Sequence, residues 1–213
     1  MSPPPPPQTG PPSPPPPHLA RMIMYKGAKY GAIAGLIATW SISTAIAASE
    51  LELGLPISTF YSIMGIALGS DNAITAAYLG FGLHLITGAL LGTVIGSVTT
   101  KWKKLNMFNP YRGTLIGIAA GLVIWLILFM PITALLIQPS IQRIVTVLAI
   151  ESQHPVLSDN VNQSIRGIAI SAIVFHIIWG AIFGFITSST LRIRASRSNI
   201  WSNILKEREG QGE

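Results

Sequence analysis

The sequence predicts an all-α integral membrane protein with four transmembrane helices, arranged as a duplicated two-helix unit. Three observations support this prediction. Only 10% of the 213 residues are charged, whereas an average soluble domain has about 25%. The charges leave four long uncharged stretches, and the two halves of the chain repeat the same residue pattern. Because each unit contains two helices, both copies have the same orientation, so the pseudo-twofold axis is expected along the membrane normal.

The four uncharged stretches define the predicted helices. They are residues 30–49, 72–100, 113–142 and 167–191. Each stretch contains the roughly 20 residues that cross a hydrocarbon core about 30 Å thick. We therefore expect a membrane domain over residues 21–191.

Basic residues concentrate on one predicted side of the membrane. Cytoplasmic loops are rich in Lys and Arg, so both termini and the loop between helices 2 and 3 are expected in the cytoplasm. The net charge of +6 then requires no nucleic-acid partner. The 12 basic residues on this side are Arg21, Lys26, Lys29, Lys101, Lys103, Lys104, Arg112, Arg192, Arg194, Arg197, Lys206 and Arg208.

Two tails flank the membrane domain. Residues 1–20 contain 11 of the 16 prolines, and such a composition favours an extended, disordered segment. This cytoplasmic tail is either a spacer or a ligand for a proline-recognition domain or a partner subunit. Residues 192–213 form a basic cytoplasmic tail.

The internal repeat relates residues 25–100 (repeat A) to residues 111–191 (repeat B). It argues that helix 1 is a retained span, although its basic flank and Ala45-Ile46-Ala47 also resemble a cleavable signal peptide. The matching segments are Tyr25-Lys26-Gly27 with Tyr111-Arg112-Gly113, Gly31, Gly35 and Leu36 with Gly117, Gly121 and Leu122, and His84-x-x-x-Gly88-Ala89-x-x-Gly92 with His176-x-x-x-Gly180-Ala181-x-x-Gly184.

The two loops on the other side are predicted to hold short helical segments. Pro56 follows the end of helix 1, and Ser58 is a plausible N-cap for an apolar helix that ends at Leu68. Residues 140–150 form a second such stretch. Glu50 and Glu52 are expected at the solvated end of helix 1.

Glycines recur at intervals of four residues in all four predicted helices. Lipid provides no hydrophobic drive for helix association, so a strip of small residues promotes close packing of two backbones. We expect these strips to pair the helices within the chain, with self-association or a partner subunit as the alternative. The predicted packing glycines are Gly27, Gly31, Gly35, Gly88, Gly92, Gly96, Gly113, Gly117, Gly121, Gly180 and Gly184.

His84 and His176 are the sharpest functional candidates, because an ionisable residue within a span is costly. The four-residue spacing places each histidine on the glycine face of its helix. One interpretation is a hydrogen bond to a neighbouring helix. A second is ligation of haem or copper between the two rings. The partners available for the first are Thr39, Ser41, Ser43, Thr44 and Thr87.

The third interpretation is a polar site for a small solute, quinone or proton. Helix breaks at Pro56 and Pro131 would complete this site, and Trp179 would cover it. Trp40 and Trp125 lie near the middle of their helices and are predicted to pack into the bundle.

Several chemistries have no support in the sequence. The absence of cysteine excludes disulfides, thiolate metal sites and catalytic thiols. No P-loop, dinucleotide fingerprint or Ser/His/Asp arrangement is present. We therefore expect neither an enzyme nor a resident cofactor, and His84 and His176 remain the only metal candidates.

The order of these motifs resembles that of the uncharacterised YagU-like four-helix inner-membrane proteins of bacteria and archaea. The resemblance covers roughly residues 25–187 and implies a plasma-membrane location without an established activity. The residues that carry it are Gly31, Gly35, Glu50, Pro56, His84, Gly88, Gly92, Gly117, Gly121, Trp125, Pro131, His176, Trp179, Gly180 and Gly184.

Three functions follow as hypotheses. The first is a non-enzymatic structural or accessory component of a membrane complex, which would contact the lipid bilayer and protein partners. The second is a small-solute transporter or channel that acts as an oligomer. The third is a redox subunit that binds haem or copper at His84 and His176.

Overall fold

The protein is all-helical in the residues that the computed structural model describes, which are 17–52, 55–101, 105, 107, 109–152 and 158–210. Four helices among them are long and apolar enough to cross a membrane. These spans are Met24–Glu52, Ala73–Lys101, Pro110–Val147 and Ile170–Arg194. The predicted fold class with four spans is therefore confirmed, whereas the duplication and its symmetry axis stay predictions.

The described residues form seven α-helices. The first begins inside the predicted proline-rich tail, of which residues 1–16 lie outside the described residues. The last continues as helix well into the predicted basic tail. The helices are α1 (Pro17–Glu52), α2 (Thr59–Ala67), α3 (Ala73–Lys101), α4 (Pro110–Ile124), α5 (Met130–Ile132), α6 (Ile141–Ser152) and α7 (Ser158–Gly210).

The third span continues without interruption from α4 to α6. Two π-helical turns, Trp125–Phe129 and Thr133–Ile137, flank α5, which contains Pro131. A proline has no N–H, and its ring crowds the carbonyl four residues earlier in an α-helix. The wider turns change this hydrogen-bond register and let the helix continue. The predicted break at Pro131 and the predicted separate segment at residues 140–150 are therefore wrong.

The spans associate as two close pairs, α1 with α3 and α4 with α7, and α1 also contacts α7. A Cβ added at Gly31 would meet the Gly92 backbone, and one at Gly117 would meet the Gly180 backbone. At each of the 11 predicted packing glycines, an added Cβ would lie less than 3.0 Å from an atom of a neighbouring helix. The absence of a side chain therefore permits backbone-to-backbone contact in both pairs.

Helices α2 and α6 cover the end of the bundle opposite the start of α4 and the end of α3, here called the loop end. α2 packs against α3 and α6 through an apolar cluster. Arg143 of α6 donates a hydrogen bond to the Gly69 carbonyl and pairs with the Asp71 carboxylate. The buried residues of the cluster are Ile63, Ile66, Ala73, Ala76, Ile137, Ile144 and Val147.

The start of α2 is stabilised by Glu50 and not by Ser58. Ser58 does precede the predicted short helix, but it has a φ of 74° and its side chain makes no capping bond. The Glu50 carboxylate accepts the N–H groups of Ser58 at 2.7 Å and Phe60 at 2.6 Å. Glu50 is only 4% exposed, so its predicted solvation is wrong, whereas Glu52 is exposed. A carboxylate at a helix N-terminus satisfies free N–H groups and opposes the helix dipole.

The prediction that Trp40 packs into the bundle is also wrong. Its side chain is 59% exposed and contacts Phe81 edge-on, with ring centroids 5.7 Å apart. The glycine face of α1 continues from Gly35 to Thr39 in steps of four residues. Trp40 lies about 100° further round the helix, towards lipid. Trp125 is half-buried in the first π-helical turn.

Candidate functional site

A cavity of about 160 Å³ lies between the two helix pairs. Its walls are mainly apolar, and Phe60 and Met64 of α2 line it at the loop end. The four predicted site residues, His84, Thr87, His176 and Trp179, all line this cavity. The structure thus brings together residues that are separated by about 90 positions in the sequence.

His84 lies on α3 beside two aromatic residues of α2. Its ring centroid is 6.3 Å from that of Phe60 and 5.5 Å from that of Tyr61. Its Nε2 atom is buried and has no hydrogen-bond partner among the described residues. Burial of an unpaired polar atom costs about 1–3 kcal/mol, and no contact among the described residues offsets this cost at His84.

His176 lies on α7, on the other side of the cavity. Its Nδ1 atom is 2.7 Å from the Ala172 carbonyl oxygen. A carbonyl oxygen only accepts, so Nδ1 carries the hydrogen, and Nε2 of the neutral ring has a lone pair. This bond lies within α7. The predicted hydrogen bond to a neighbouring helix is therefore wrong for His176, and the buried Nε2 of His84 makes none.

Trp179 connects the two helix pairs. Its indole Nε1 donates to Thr39 Oγ1 at 2.8 Å, and this hydroxyl donates to the Gly35 carbonyl at 2.8 Å. The Trp179 ring also stacks on Phe183, with centroids 5.2 Å apart and an interplanar angle of 1°. Both polar groups are satisfied inside the protein, so the predicted Thr39–histidine bond is replaced by a Thr39–tryptophan bond.

Replacement of Thr39 with valine tests this connection. Thr39→Val keeps the side-chain shape but leaves the buried indole N–H unpaired, so we expect a loss of about 1–3 kcal/mol in the free energy of unfolding. The measurement is denaturant unfolding in detergent micelles. Thr39→Ser retains the hydroxyl and serves as the control. Equal stability of the valine and serine variants would contradict this role.

Two of the packing glycines set the position of the site residues. Gly121 of α4 lies against the His176 carbonyl, and Gly88, one turn after His84, lies against Thr39. A Cβ at either position would displace the helix that presents a site residue. The glycine pattern therefore sets how closely α3 approaches α1, and α4 approaches α7, at the level of the site residues.

Glu50 is the cavity residue that sequence reasoning missed as part of the site. A carboxylate so close to a helix end is normally solvated, but the chain turns back after Pro56 and covers it with α2. Burial raises the pKa of the neighbouring Tyr61, the Glu50 charge adds to this shift, and the Ser43 hydroxyl partly opposes it. The signal in the sequence was a carboxylate eight residues before Ser58, the N-cap position of a short helix.

Metal ligation has no third ligand in the part of the chain that the structure describes. No group of three His, Asp, Glu or Cys side chains is placed to hold an ion there. His84 and His176 would provide two imidazole ligands at most. Thr87 lines the cavity but is largely exposed.

The fold and the cavity define a multi-pass membrane protein with an internal, mainly apolar site. In the comparison with known proteins, no family model, curated protein or solved structure matches the chain. The resemblance to YagU-like proteins stays a prediction.

Proposed function

We propose that this membrane protein binds a small, largely apolar molecule in the cavity between its helix pairs, with His176 as its polar contact. The observation that supports the proposal is the imidazole of His176 in the wall of a mainly apolar cavity, since its Nδ1 bonds to the Ala172 carbonyl and leaves the lone pair of Nε2 for a ligand. An apolar side chain would serve a structural role at lower cost. A bound molecule with a hydrogen-bonding group would satisfy the imidazole.

The size of the cavity limits the ligand. Its volume is about 160 Å³, and an engineered apolar cavity of about 150 Å³ in another protein binds benzene. One six-membered ring with a small substituent therefore fits the site. A porphyrin would have to extend well beyond this volume, which disfavours the haem hypothesis.

The π-helical turn in the third span supports a binding role. It places Leu128 and Phe129 in the cavity wall, and Phe129 contacts the His176 ring edge-on at 5.3 Å. Isolated π-helical turns have poorer hydrogen-bond geometry than the α-helix and occur frequently at functional sites. A wall built from such a turn is consistent with selection for a ligand.

A cavity-filling variant tests the proposal. Leu91 lines the cavity, whereas the adjacent Leu90 is 61% exposed on the lipid side. We expect toluene to raise the unfolding midpoint of the wild type and of Leu90→Trp, but not of Leu91→Trp, in lipid nanodiscs. A free ligand concentration of 100 times the Kd stabilises a protein by about 2.7 kcal/mol. An equal shift in both variants would show that toluene acts through the lipid and would overturn the proposal.

The topology and the origin of the bundle form part of the same proposal. The excess of basic residues supports cytoplasmic termini, and the YagU-like resemblance supports a plasma-membrane location. The paired glycine strips and the matching motifs support an ancient duplication with a pseudo-twofold axis along the membrane normal. The orientation is tested with the variants Ser2→Cys and Ser70→Cys, each labelled with a thiol reagent that is added from one side of the membrane or the other.

The accessory role predicted from the sequence is compatible with ligand binding. It stays a prediction. Co-purification in a gentle detergent tests it, and recovery of the protein alone would count against it. The transporter hypothesis predicts an oligomer, and a strictly monomeric particle without solute flux in liposomes would contradict it.

A further inference from the structure

We infer that the molecule bound in the cavity carries a hydroxyl group on a single ring, and is therefore a phenol or a ring-sized alcohol. This inference rests on the proposed binding function. It follows from the hydrogen-bonding role left open at His176, the polar contact of the proposed site.

His176 offers an acceptor. Its Nδ1 donates to the Ala172 carbonyl, and a charged ring within the bilayer is costly. The neutral ring therefore has an unprotonated Nε2. A ligand that contacts this atom has to bring a donor, which a hydroxyl provides and an ether, a ketone or a hydrocarbon does not.

Four polar side chains near the cavity already have partners, whereas the hydroxyls of Ser171 and Thr87 also line it. Trp179 and Thr39 bond to each other, and both oxygens of Glu50 accept backbone N–H groups of α2. Ser49 donates to the Ala45 carbonyl. A ligand with several charged or polar groups would find few partners here, whereas a single hydroxyl on an apolar ring matches the acceptor on His176.

The test compares phenol, anisole and toluene, which have similar shapes but different hydrogen-bonding capacity. Binding is measured by competition equilibrium dialysis against protein in nanodiscs and is expressed relative to each compound's partition into protein-free nanodiscs. We expect phenol to bind about tenfold more tightly than toluene, the effect of one additional hydrogen bond. Anisole, which only accepts, is expected to stay near toluene. In His176→Phe, the preference for phenol should be lost while toluene still binds.

A second readout does not depend on a folded variant. In wild-type protein labelled with ¹⁵N-histidine, phenol should shift the Nε2 resonance of His176 in the direction of hydrogen-bond acceptance, and toluene should leave it unchanged. Equal affinities for phenol and toluene, with no shift of this resonance, would overturn the hydroxyl inference and leave the cavity proposal intact. Failure of all three compounds to bind would overturn the proposed function itself.

The hydroxylated ring could come from a free small molecule or from the head group of a lipid-soluble phenol. A long-chain 4-alkylphenol in the same dialysis distinguishes these sources. Retention of phenol-like affinity would support a lipid-borne head group, whereas exclusion of the chain would support a free compound. Both results require that phenol itself binds with the stated preference.

Discussion

Replacement of Gly92 with alanine is expected to separate α1 from α3 and to cause a large loss of stability. The added Cβ would lie 2.9 Å from the Gly35 Cα and closer still to the Gly31 carbonyl oxygen. Both obstacles are backbone, so no change of rotamer relieves them. Overpacking typically costs about 1–3 kcal/mol, and we expect the loss at Gly92 to reach at least the upper end of that range. Unfolding in a mixed-micelle titration measures it.

Gly82 provides a matched control on the same helix. A Cβ added there would have no atom within 4 Å. Because alanine is favoured over glycine in helices by about 1 kcal/mol, Gly82→Ala should equal or exceed the wild type in stability. If Gly92→Ala were as stable as Gly82→Ala, the close contact between α1 and α3 would be refuted.

The helices were predictable from the sequence because the physical signal is simple. A membrane span has to satisfy all its backbone groups internally and bury about 20 apolar residues. The glycine spacing of four also indicated one face on each helix. Gly31 and Gly117 do lie against the backbones of α3 and α7. Their exact partners depend on how the helices are arranged in three dimensions.

The third span shows where local rules fail. Pro131 would break an isolated helix, but within a bundle the two π-helical turns around it satisfy the backbone in another register. The direction of a side chain at a given depth was equally hard to predict. Trp40 and Thr39 are adjacent in sequence, yet one faces lipid and the other bonds to Trp179.

The site was predictable in its residues but not in its bonds. The repeated His-x-x-x-Gly pattern placed both imidazoles on packing faces, and they do line one cavity. Their hydrogen bonds were not predictable, because the Ala172 carbonyl that accepts from His176 is a backbone group of the same helix. The role of Glu50 required knowledge of the reversal of the chain at Pro56.

Glu50→Ala is expected to release α2 from the loop end and to open the cavity. The substitution leaves the N–H groups of Ser58 and Phe60 without their acceptors. Each buried unpaired group costs about 1–3 kcal/mol, and more where the lost partner is charged. Phe60 and Met64 line the cavity from α2, so a mobile α2 should also weaken ligand binding. Hydrogen exchange measured by mass spectrometry should become faster in residues 58–67.

Glu52→Ala is the control for this experiment. Glu52 lies two residues further along α1 and is exposed, so its loss removes the same charge without affecting the start of α2. Glu50→Gln refines the comparison, because its amide keeps one acceptor oxygen but places an N–H donor where the second was needed. We expect exchange in α2 to increase in the order Glu52→Ala, Glu50→Gln, Glu50→Ala. Equal exchange in Glu52→Ala and Glu50→Ala would mean that packing of α2 on α3 and α6 is sufficient to hold it, and that the carboxylate has no part in closing the cavity.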